Sequence, residues 1–150
     1  MKAFPDTSFL CSVYREQVHS SKADAWMEAR QDPLPVSSLL ILEFKQSVRL
    51  QNFLFKNDRT RGFSEREGAV MLRDLQADLA GGLLKMTAPD WPAVHRQAEE
   101  LSQKHTAAEG HRLADLLHLA TAKYLGSEVF LSFDDRQRAL AQAEGMVLGV

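Results

Sequence analysis

Short apolar runs and longer segments with helical spacing alternate along the chain from one end to the other. A short apolar run that is bounded by polar residues, proline or glycine is typical of a buried strand. The runs that predict strands are residues 2–5, 34–36, 83–86, 129–133 and 146–148.

The segments between these runs carry apolar residues at the spacing of one helix face, and several carry helix-capping signals. Ser64 and Glu67 form a capping box, and Gly81 and Gly82 end the same helix. The predicted helices cover residues 8–18, from Ser20 or Ser21 to before Pro33, from Ser37 or Ser38 to about Leu50, from Ser64 to Leu79, from about Pro89 to His105, from Leu113 to Gly126, and 135–144.

This alternation predicts an α/β domain built on a central, mainly parallel sheet of about five strands. The strands are apolar along their whole length, so they should be buried on both faces by covering helices. The 150 residues suit a single domain, 1–150, because a chain of this length can bury its own core. In such sheets the functional crevice lies at the carboxyl ends of the strands.

Composition narrows the class of protein without identifying it. Hydrophobic residues make up 45% of the chain and charged residues 25%, which is typical of a folded, soluble protein. Cys11 is the single cysteine, so neither an internal disulfide nor a cysteine metal cluster can form, and a packed thiol is expected. The longest apolar stretch, residues 39–42, is far too short to cross a bilayer, and no export signal is evident. We therefore expect a cytoplasmic protein with no membrane partner.

The net charge of −2 does not indicate nucleic-acid binding, but one segment is locally basic. Between residues 45 and 66, six basic side chains face only Asp58 and Glu65, which leaves an excess of four positive charges. Such a patch attracts phosphate groups, although a solvated helix face and loop explains it equally well. The basic residues are Lys45, Arg49, Lys56, Arg59, Arg61 and Arg66.

Four acidic residues are predicted to meet at the carboxyl edge of the sheet. Asp6 directly follows the first strand and Asp134 the fourth, so both point into one crevice if those strands are neighbours. Glu43 and Asp115 lie early in leucine-rich helices, where burying an unpaired charge would be costly. Early helical turns face the same edge of the sheet, so all four carboxylates can converge.

Clustered carboxylates repel one another unless a cation neutralises them, and hard oxygen ligands suit Mg²⁺ or Mn²⁺. Such ions would activate water and stabilise charge on a phosphodiester. Two other interpretations stay open from spacing alone. The acids could cap helices or face helix N-terminal dipoles, or a metal-free pair could serve glycoside hydrolysis, although no sugar-stacking cleft is evident.

Four motifs around these acids resemble the PIN-domain family, and particularly the VapC-type toxins of toxin–antitoxin pairs. They stand in the family's order, at family-like spacing, over nearly the whole chain. The motifs are D-T-S-F-L at 6–10, V-S-S-L-L-I-L-E-F at 36–44, D-L-L-H-L-A at 115–120 and L-S-F-D at 131–134.

The resemblance implies an RNA-cleaving enzyme that depends on Mg²⁺ or Mn²⁺ and folds as a three-layer α/β/α sandwich. Asp6, Glu43, Asp115 and Asp134 match the family's acidic quartet, which is both catalytic and metal-binding. Asp6 and Asp115 would be the most direct metal ligands, and the other two would bind directly or through water.

The resemblance also implies supporting residues and partners. As a mechanism, we hypothesise that a hydroxide activated at the metal would attack the RNA phosphate in line. The 3′ oxygen would then leave, which gives one product with a 5′-phosphate and one with a 3′-hydroxyl. The family's partners are an antitoxin, whose C-terminal segment covers the active-site groove, and a second copy in a homodimer. Thr7, Ser8 and Ser132 match small hydroxyl positions that support the site, and Arg112, Lys45 and Arg49 are predicted phosphate contacts, with His111 and the rest of the basic segment.

The chain departs from the family pattern at Pro5, where an apolar strand residue is usual, and at Asp135, which adjoins Asp134. Proline has no N–H, so the first strand should end at Pro5 or leave that side unpaired. Asp134 aligns with the motif, and Asp135 is predicted to be an early helix acid.

Two other functions remain as alternatives. His105, His111 and His118 suggest acid–base RNA cleavage without metal, although His118 in its apolar helix is more typical of a packed histidine. A PIN-like module without catalysis would bind RNA or a protein only. The chain keeps all four acids, which argues against that module.

Overall fold

The computed structural model describes residues 1–150 and contains five short strands and eight α-helices. It also contains one π-helical stretch, Ser102–Thr106. The strands are β1 (Ala3–Pro5), β2 (Leu34–Val36), β3 (Leu84–Met86), β4 (Val129–Leu131) and β5 (Val147–Leu148). The helices are α1 (Thr7–Tyr14), α2 (Ser20–Ala29), α3 (Ser38–Asn57), α4 (Glu65–Gly81), α5 (Trp91–Leu101), α6 (Ala107–Glu109), α7 (Leu113–Tyr124) and α8 (Asp135–Ala143).

All strand pairs are parallel, as the apolar runs predict. Every residue of β1 and β4 is buried, and because successive strand residues point to opposite faces, helices cover both sides of the sheet. The predicted three-layer α/β/α sandwich is therefore confirmed. The core contains 29 buried hydrophobic residues, with Phe4, Phe9, Phe44 and Phe130 among the largest. None of the helices combines the length and the apolar character needed to cross a membrane.

Hydrogen bonding divides the strands into a three-stranded sheet, β1-β4-β5, and a separate pair, β2-β3, although β1 and β2 lie side by side. Two prolines explain the interruption. The Asp6 N–H donates to the Leu131 carbonyl of β4, so the nitrogen of Pro5, one residue earlier, faces β2. The Leu34 N–H donates to the Leu83 carbonyl next to β3, so the nitrogen of Pro35 faces β1. Neither proline has an N–H to donate across this gap.

Three predicted boundaries differ from the observed ones, and the first two differ by more than the usual fraying of element ends. Helix α1 ends at Tyr14 instead of residue 18, because Arg15 adopts extended backbone. Helix α3 continues to Asn57 instead of Leu50, because no glycine or proline interrupts it before the extended Asp58. Strand β4 ends at Leu131 instead of residue 133, since the Phe133 N–H donates to the Ser8 hydroxyl rather than to the sheet.

Candidate functional site

The carboxyl ends of β1 and β4 lie side by side, because the register pairs Pro5 with Leu131. Asp6 follows β1 as the N-cap of α1, and its carboxylate accepts a hydrogen bond from the Phe9 N–H at 3.0 Å. Asp134 is the N-cap of α8 and accepts from the Gln137 N–H at 2.9 Å. Both acids therefore cap helices, and both also face the same edge of the sheet.

A cavity of about 360 Å³ opens at this edge and is lined by all four acids of the predicted quartet. Glu43 reaches it from the second turn of α3, and Asp115 from the first turn of α7. Asp135 is exposed at the start of α8 and does not line the cavity. The structure thus brings Asp6, Glu43, Asp115 and Asp134 together, and their catalytic roles stay predictions.

Asp6 is the most deeply placed of these acids, with 5% of its surface exposed. Burial raises the pKa of its carboxyl above the ordinary value, although three hydrogen bonds and the nearby His118 act in the opposite direction. The Ser132 hydroxyl donates to Oδ2 at 2.5 Å, and the Ser8 hydroxyl donates to Oδ1 at 2.6 Å. The fold therefore holds a carboxylate at a position where its charge is costly.

The predicted supporting hydroxyls all contact acids of the cavity. Ser132 donates to Asp6 and accepts from the Asp134 N–H at 3.1 Å, so one buried hydroxyl connects two of the acids. The Thr7 hydroxyl donates to Oε1 of Glu43. These contacts fix the directions in which the carboxylates of Asp6 and Glu43 point.

His118, for which the sequence favours a packed histidine, is also a member of the site. It is 1% exposed, as the packed-histidine interpretation expects, yet its Nε2 lies 3.0 Å from Oε1 of Glu43 at the cavity wall. The hydrogen bond from His118 holds the pKa of Glu43 below its ordinary value, against the effect of burial and with help from Thr7. The sequence signal was its position three residues after Asp115, which places both side chains on one helix face.

Arg112 lines the cavity beside Asp115, and its Nε lies 3.4 Å from Oδ2 of that acid. The Arg112 side chain is 81% exposed, so the pair is a weak, solvent-screened one and the guanidinium remains free to move. Of the three residues named as phosphate contacts, Arg112 is the one that reaches the cavity.

Lys45 and Arg49 do not line the cavity, because they lie on the other side of α3. At about 100° per residue, Lys45 is rotated by about 200° and Arg49 by about 240° from Glu43. The cavity-facing row of α3 instead continues from Glu43 through residues that the sequence analysis missed. These are Gln46, Ser47 and Leu50. His111 does not line the cavity either, and its Nε2 lies 2.8 Å from a carboxylate oxygen of Glu109.

The carboxylate oxygens of the cavity have the ligand chemistry that a hard divalent cation prefers. Asp6 accepts three hydrogen bonds of the four that a carboxylate can accept, and Glu43 and Asp134 each receive theirs on a single oxygen. Each of these acids therefore keeps a free oxygen lone pair, which Mg²⁺ and Mn²⁺ prefer as a ligand. As the side chains stand, no three His, Cys, Asp or Glu residues are grouped closely enough to hold a metal ion.

Fold and cavity together define an α/β protein with acidic side chains gathered at the carboxyl edge of a parallel sheet. The chain belongs to the PIN-domain family, whose model matches residues 3–143. PIN domains of this kind are typically nucleases that use divalent metal ions. No curated protein has a sequence that matches this chain.

Solved structures with the same fold cover almost the whole chain. Mycobacterium tuberculosis VapC20, a Sarcin–Ricin loop cleaving toxin, is 18% identical, with 97% of each chain covered and a TM-score of 0.67. PAE2754 from Pyrobaculum aerophilum is 19% identical over 99% of this chain and 91% of that one, with a TM-score of 0.64. FitAcB from Neisseria gonorrhoeae is 17% identical over 97% of this chain and 95% of that one, with a TM-score of 0.64.

Proposed function

We propose that this chain is a metal-dependent endoribonuclease, and that it acts as the toxin of a toxin–antitoxin pair in the cytoplasm. The observation that carries the proposal is that four carboxylates line one cavity of a PIN domain, although they lie far apart in the sequence. Carboxylates so placed repel one another and need a cation, which suits an enzyme that acts on a phosphodiester.

Asp6 and Asp115 would hold Mg²⁺ or Mn²⁺, with Glu43 and Asp134 as direct or water-mediated ligands. When bound, such a cation would stabilise the phosphate charge as a Lewis acid and lower the pKa of water. Water attacks phosphorus in line with the bond to the 3′ oxygen. That bond breaks, the 3′ oxygen takes up a proton, and the products carry a 5′-phosphate and a 3′-hydroxyl.

The chain's own residues orient these groups. Ser132 and Ser8 each hold one oxygen of Asp6, so the carboxylate presents its remaining lone pair in a fixed direction. Thr7 and His118 both hydrogen-bond to Oε1 of Glu43, which leaves Oε2 free to bind a metal ion or a water molecule. Arg112 is the cavity's exposed guanidinium, and it is suited to contact a non-bridging phosphate oxygen because its fork matches phosphate geometry.

Neighbouring acids offer a matched test of this assignment. We expect Asp134→Asn to lower RNA cleavage by about 10- to 100-fold, the loss typical of a group that supports a metal ligand set. Asp135→Asn should leave cleavage unchanged, because Asp135 points to solvent. Asparagine caps helices as well as aspartate does, so both variants should fold.

The measurement is cleavage of a structured-RNA panel, with a Sarcin–Ricin loop hairpin included, in Mg²⁺, in Mn²⁺ and in EDTA. Equal cleavage by the Asp134→Asn and Asp135→Asn variants would contradict the assignment of Asp134. Tight RNA binding by the parent without cleavage in any metal would instead favour the non-catalytic binding module.

The toxin role is supported by the fold that the chain shares with VapC20 and by its membership of the PIN-domain family. The cognate antitoxin would then be a protein whose segment covers the acidic cavity and withholds it from RNA. A basic side chain of that segment would complement the four carboxylates.

A homodimer is the assembly that the apolar surface beside the cavity supports. Two hollows of about 310 and 240 Å³ lie along α3, α5 and α7 and share His95 and Leu117. Leu42 and Leu113 at their rims are 62% and 69% exposed. A contiguous apolar surface of this kind is typical of an interface.

We expect Leu42→Lys to dissociate the dimer, because a charge would be buried within the apolar contact. Val18→Lys is the matched control, since Val18 is 86% exposed and lies outside both hollows. Light scattering over a concentration series measures the mass. A parent that stays monomeric at every concentration would overturn this proposal.

A further inference from the structure

A second polar cavity, of about 360 Å³, lies next to the acidic cavity. Ser47 of α3 lines both, so it forms part of the wall between them. Arg15, Gln17 and Gln51 contribute the other polar side chains of the second cavity, which we call the Arg15 pocket. Nothing in the proposed chemistry uses these residues.

Arg15 is the one charged residue that lines this pocket, and it takes part in none of the ion pairs of the chain. Its Nε is buried and has no hydrogen-bond partner within the chain. Cys11 adds no charge, because burial raises the pKa of its thiol to about 11. The pocket therefore presents a single uncompensated positive charge.

The arginine is held in position from both ends. The Ser20 hydroxyl donates to the Arg15 carbonyl at 3.0 Å and accepts from the Gln17 N–H at 2.9 Å, which fixes the turn after α1. The guanidinium carbon lies 4.7 Å from the ring centroid of Phe63, a buried residue. Stacking on an aromatic ring orients the planar guanidinium and leaves its edge for an acceptor.

An anion with several acceptor oxygens suits this arrangement. A guanidinium edge matches phosphate oxygens in a two-bond fork, and the Gln17, Gln51 and Ser47 side chains add neutral donors. Asp6 of the acidic cavity caps the start of α1 and Arg15 caps its end. They are nine residues apart, and at about 1.5 Å per residue their backbones lie about 13 Å apart along the helix. A stacked strand advances about 3.4 Å per nucleotide, so the two cavities are about three or four nucleotides apart.

We infer that the Arg15 pocket binds a backbone phosphate of the RNA strand, about three or four nucleotides from the phosphate that lies among the carboxylates. The inference rests on the proposed function, and it adds a positioning contact outside the reacting groups. Such a contact would set how long an RNA must be to bind well and would hold the strand along α3.

The test measures binding of fluorescent uridine oligonucleotides, from about two to about eight nucleotides long, to the full chain. The Asp6→Asn background with Mg²⁺ prevents cleavage during the titration. In this Asp6→Asn parent, which keeps Arg15, affinity should rise about tenfold once the strand is long enough to span both cavities. That rise is the gain expected from one additional charge-assisted contact. The slope of log affinity against log salt should steepen by about 0.7 at the same length.

Arg15→Gln should remove both the affinity gain and the added salt dependence, and Arg15→Lys should keep the salt dependence while losing part of the affinity, because lysine lacks the fork. Arg96→Gln, at an exposed arginine of α5 without an ion pair, is the control for net charge. Thermal unfolding of each variant verifies that it folds.

Two outcomes would overturn the inference in distinguishable ways. If the parent binds RNA and Arg15→Gln changes neither affinity nor salt slope, the pocket does not contact the strand, and the proposed nuclease stands. If the parent binds no RNA of any length, the proposed function and this inference both fail. If Arg15→Gln weakens binding of polyglutamate but not of RNA, the pocket serves a protein partner and the inference is wrong.

Discussion

Replacing Asp6 with asparagine is expected to abolish RNA cleavage and, at the same time, to stabilise the folded protein. The loss of activity should be about a thousandfold or more, since a metal ligand contributes several kcal/mol of transition-state stabilisation. The gain in stability follows from burial, because the folded protein holds the Asp6 carboxylate almost entirely out of water. Asparagine has nearly the same shape, caps α1 as well, and carries no charge.

The direction of the stability change follows from the pKa of Asp6, which burial raises above its ordinary value of 3.8. The folded protein therefore binds this proton more tightly than the unfolded chain does. The resulting stabilisation is fully present below the unfolded value and is lost as the pH rises through the folded value. At neutral pH the ionised carboxylate destabilises the fold, and the asparagine removes that cost.

We expect Asp6→Asn to add about 1 kcal/mol at neutral pH, or about 3 °C in melting temperature for a chain of this length. Thermal unfolding in EDTA measures it without a contribution from bound metal. The advantage should shrink as the pH falls, because Asp6 then becomes protonated in the parent. Asp24→Asn, at an exposed residue of α2, should change neither stability nor cleavage.

The same variant tests the toxin role in cells. Induced production of the parent chain should arrest bacterial growth in the absence of antitoxin, and the stabler Asp6→Asn protein should not. Growth arrest by both proteins, at equal abundance, would show that toxicity does not come from the acidic cavity. Retained cleavage by Asp6→Asn would contradict the assignment of Asp6 directly.

Gly62→Ala is expected to destabilise the protein by about 3 to 5 kcal/mol, the largest effect of a single methyl group that we predict. Gly62 has a φ of 62°, in the left-handed region that L residues avoid. A Cβ at this position would also lie 2.1 Å from the Gln51 carbonyl oxygen. That oxygen accepts from the Phe63 N–H, so the loop cannot move away without breaking a contact between α3 and the loop before α4.

Gly82→Ala separates the two causes, because Gly82 has a φ of 81° and open space around its Cβ position. It should cost about 1 to 2 kcal/mol, which is the backbone conformation alone. Urea unfolding of both variants measures the difference. Equal losses would contradict a steric role for the Gln51 carbonyl, and the larger loss at Gly62 would support it.

The strands and the meeting of Asp6 with Asp134 could be predicted from the sequence because both depend on local rules. Apolar runs of strand length define β1 and β4, and parallel strands that are neighbours end at one edge. Asp6 and Asp134 each directly follow such a run in the sequence. Their position at the cavity then follows from the β/α order of the chain.

The role of His118 could not be predicted in the same way, because its partner Glu43 is 75 residues away in the sequence. A histidine in an apolar helix is buried whether it packs against leucines or against a carboxylate, so composition does not distinguish the two environments. Lys45 and Arg49 are a different case. Their angular distance from Glu43 along α3 was available from the sequence, and it places both away from the cavity.

The division of the sheet and the Arg15 pocket depend on tertiary packing. Pro5 alone predicts an unpaired strand edge. That edge meets Pro35 only because β1 and β2 lie side by side in the folded protein. The pocket requires Phe63, from the loop before α4, to lie against the end of α1. Contacts between segments so distant in sequence leave no local pattern.

The most direct test of the central proposal is the chemistry of the RNA ends made by purified, antitoxin-free protein. Cleavage in Mg²⁺ or Mn²⁺ that stops in EDTA and leaves 5′-phosphate and 3′-hydroxyl ends is the predicted result. Cleavage that continues in EDTA and leaves cyclic phosphate ends would contradict it, and would assign the reaction to histidine acid–base chemistry instead.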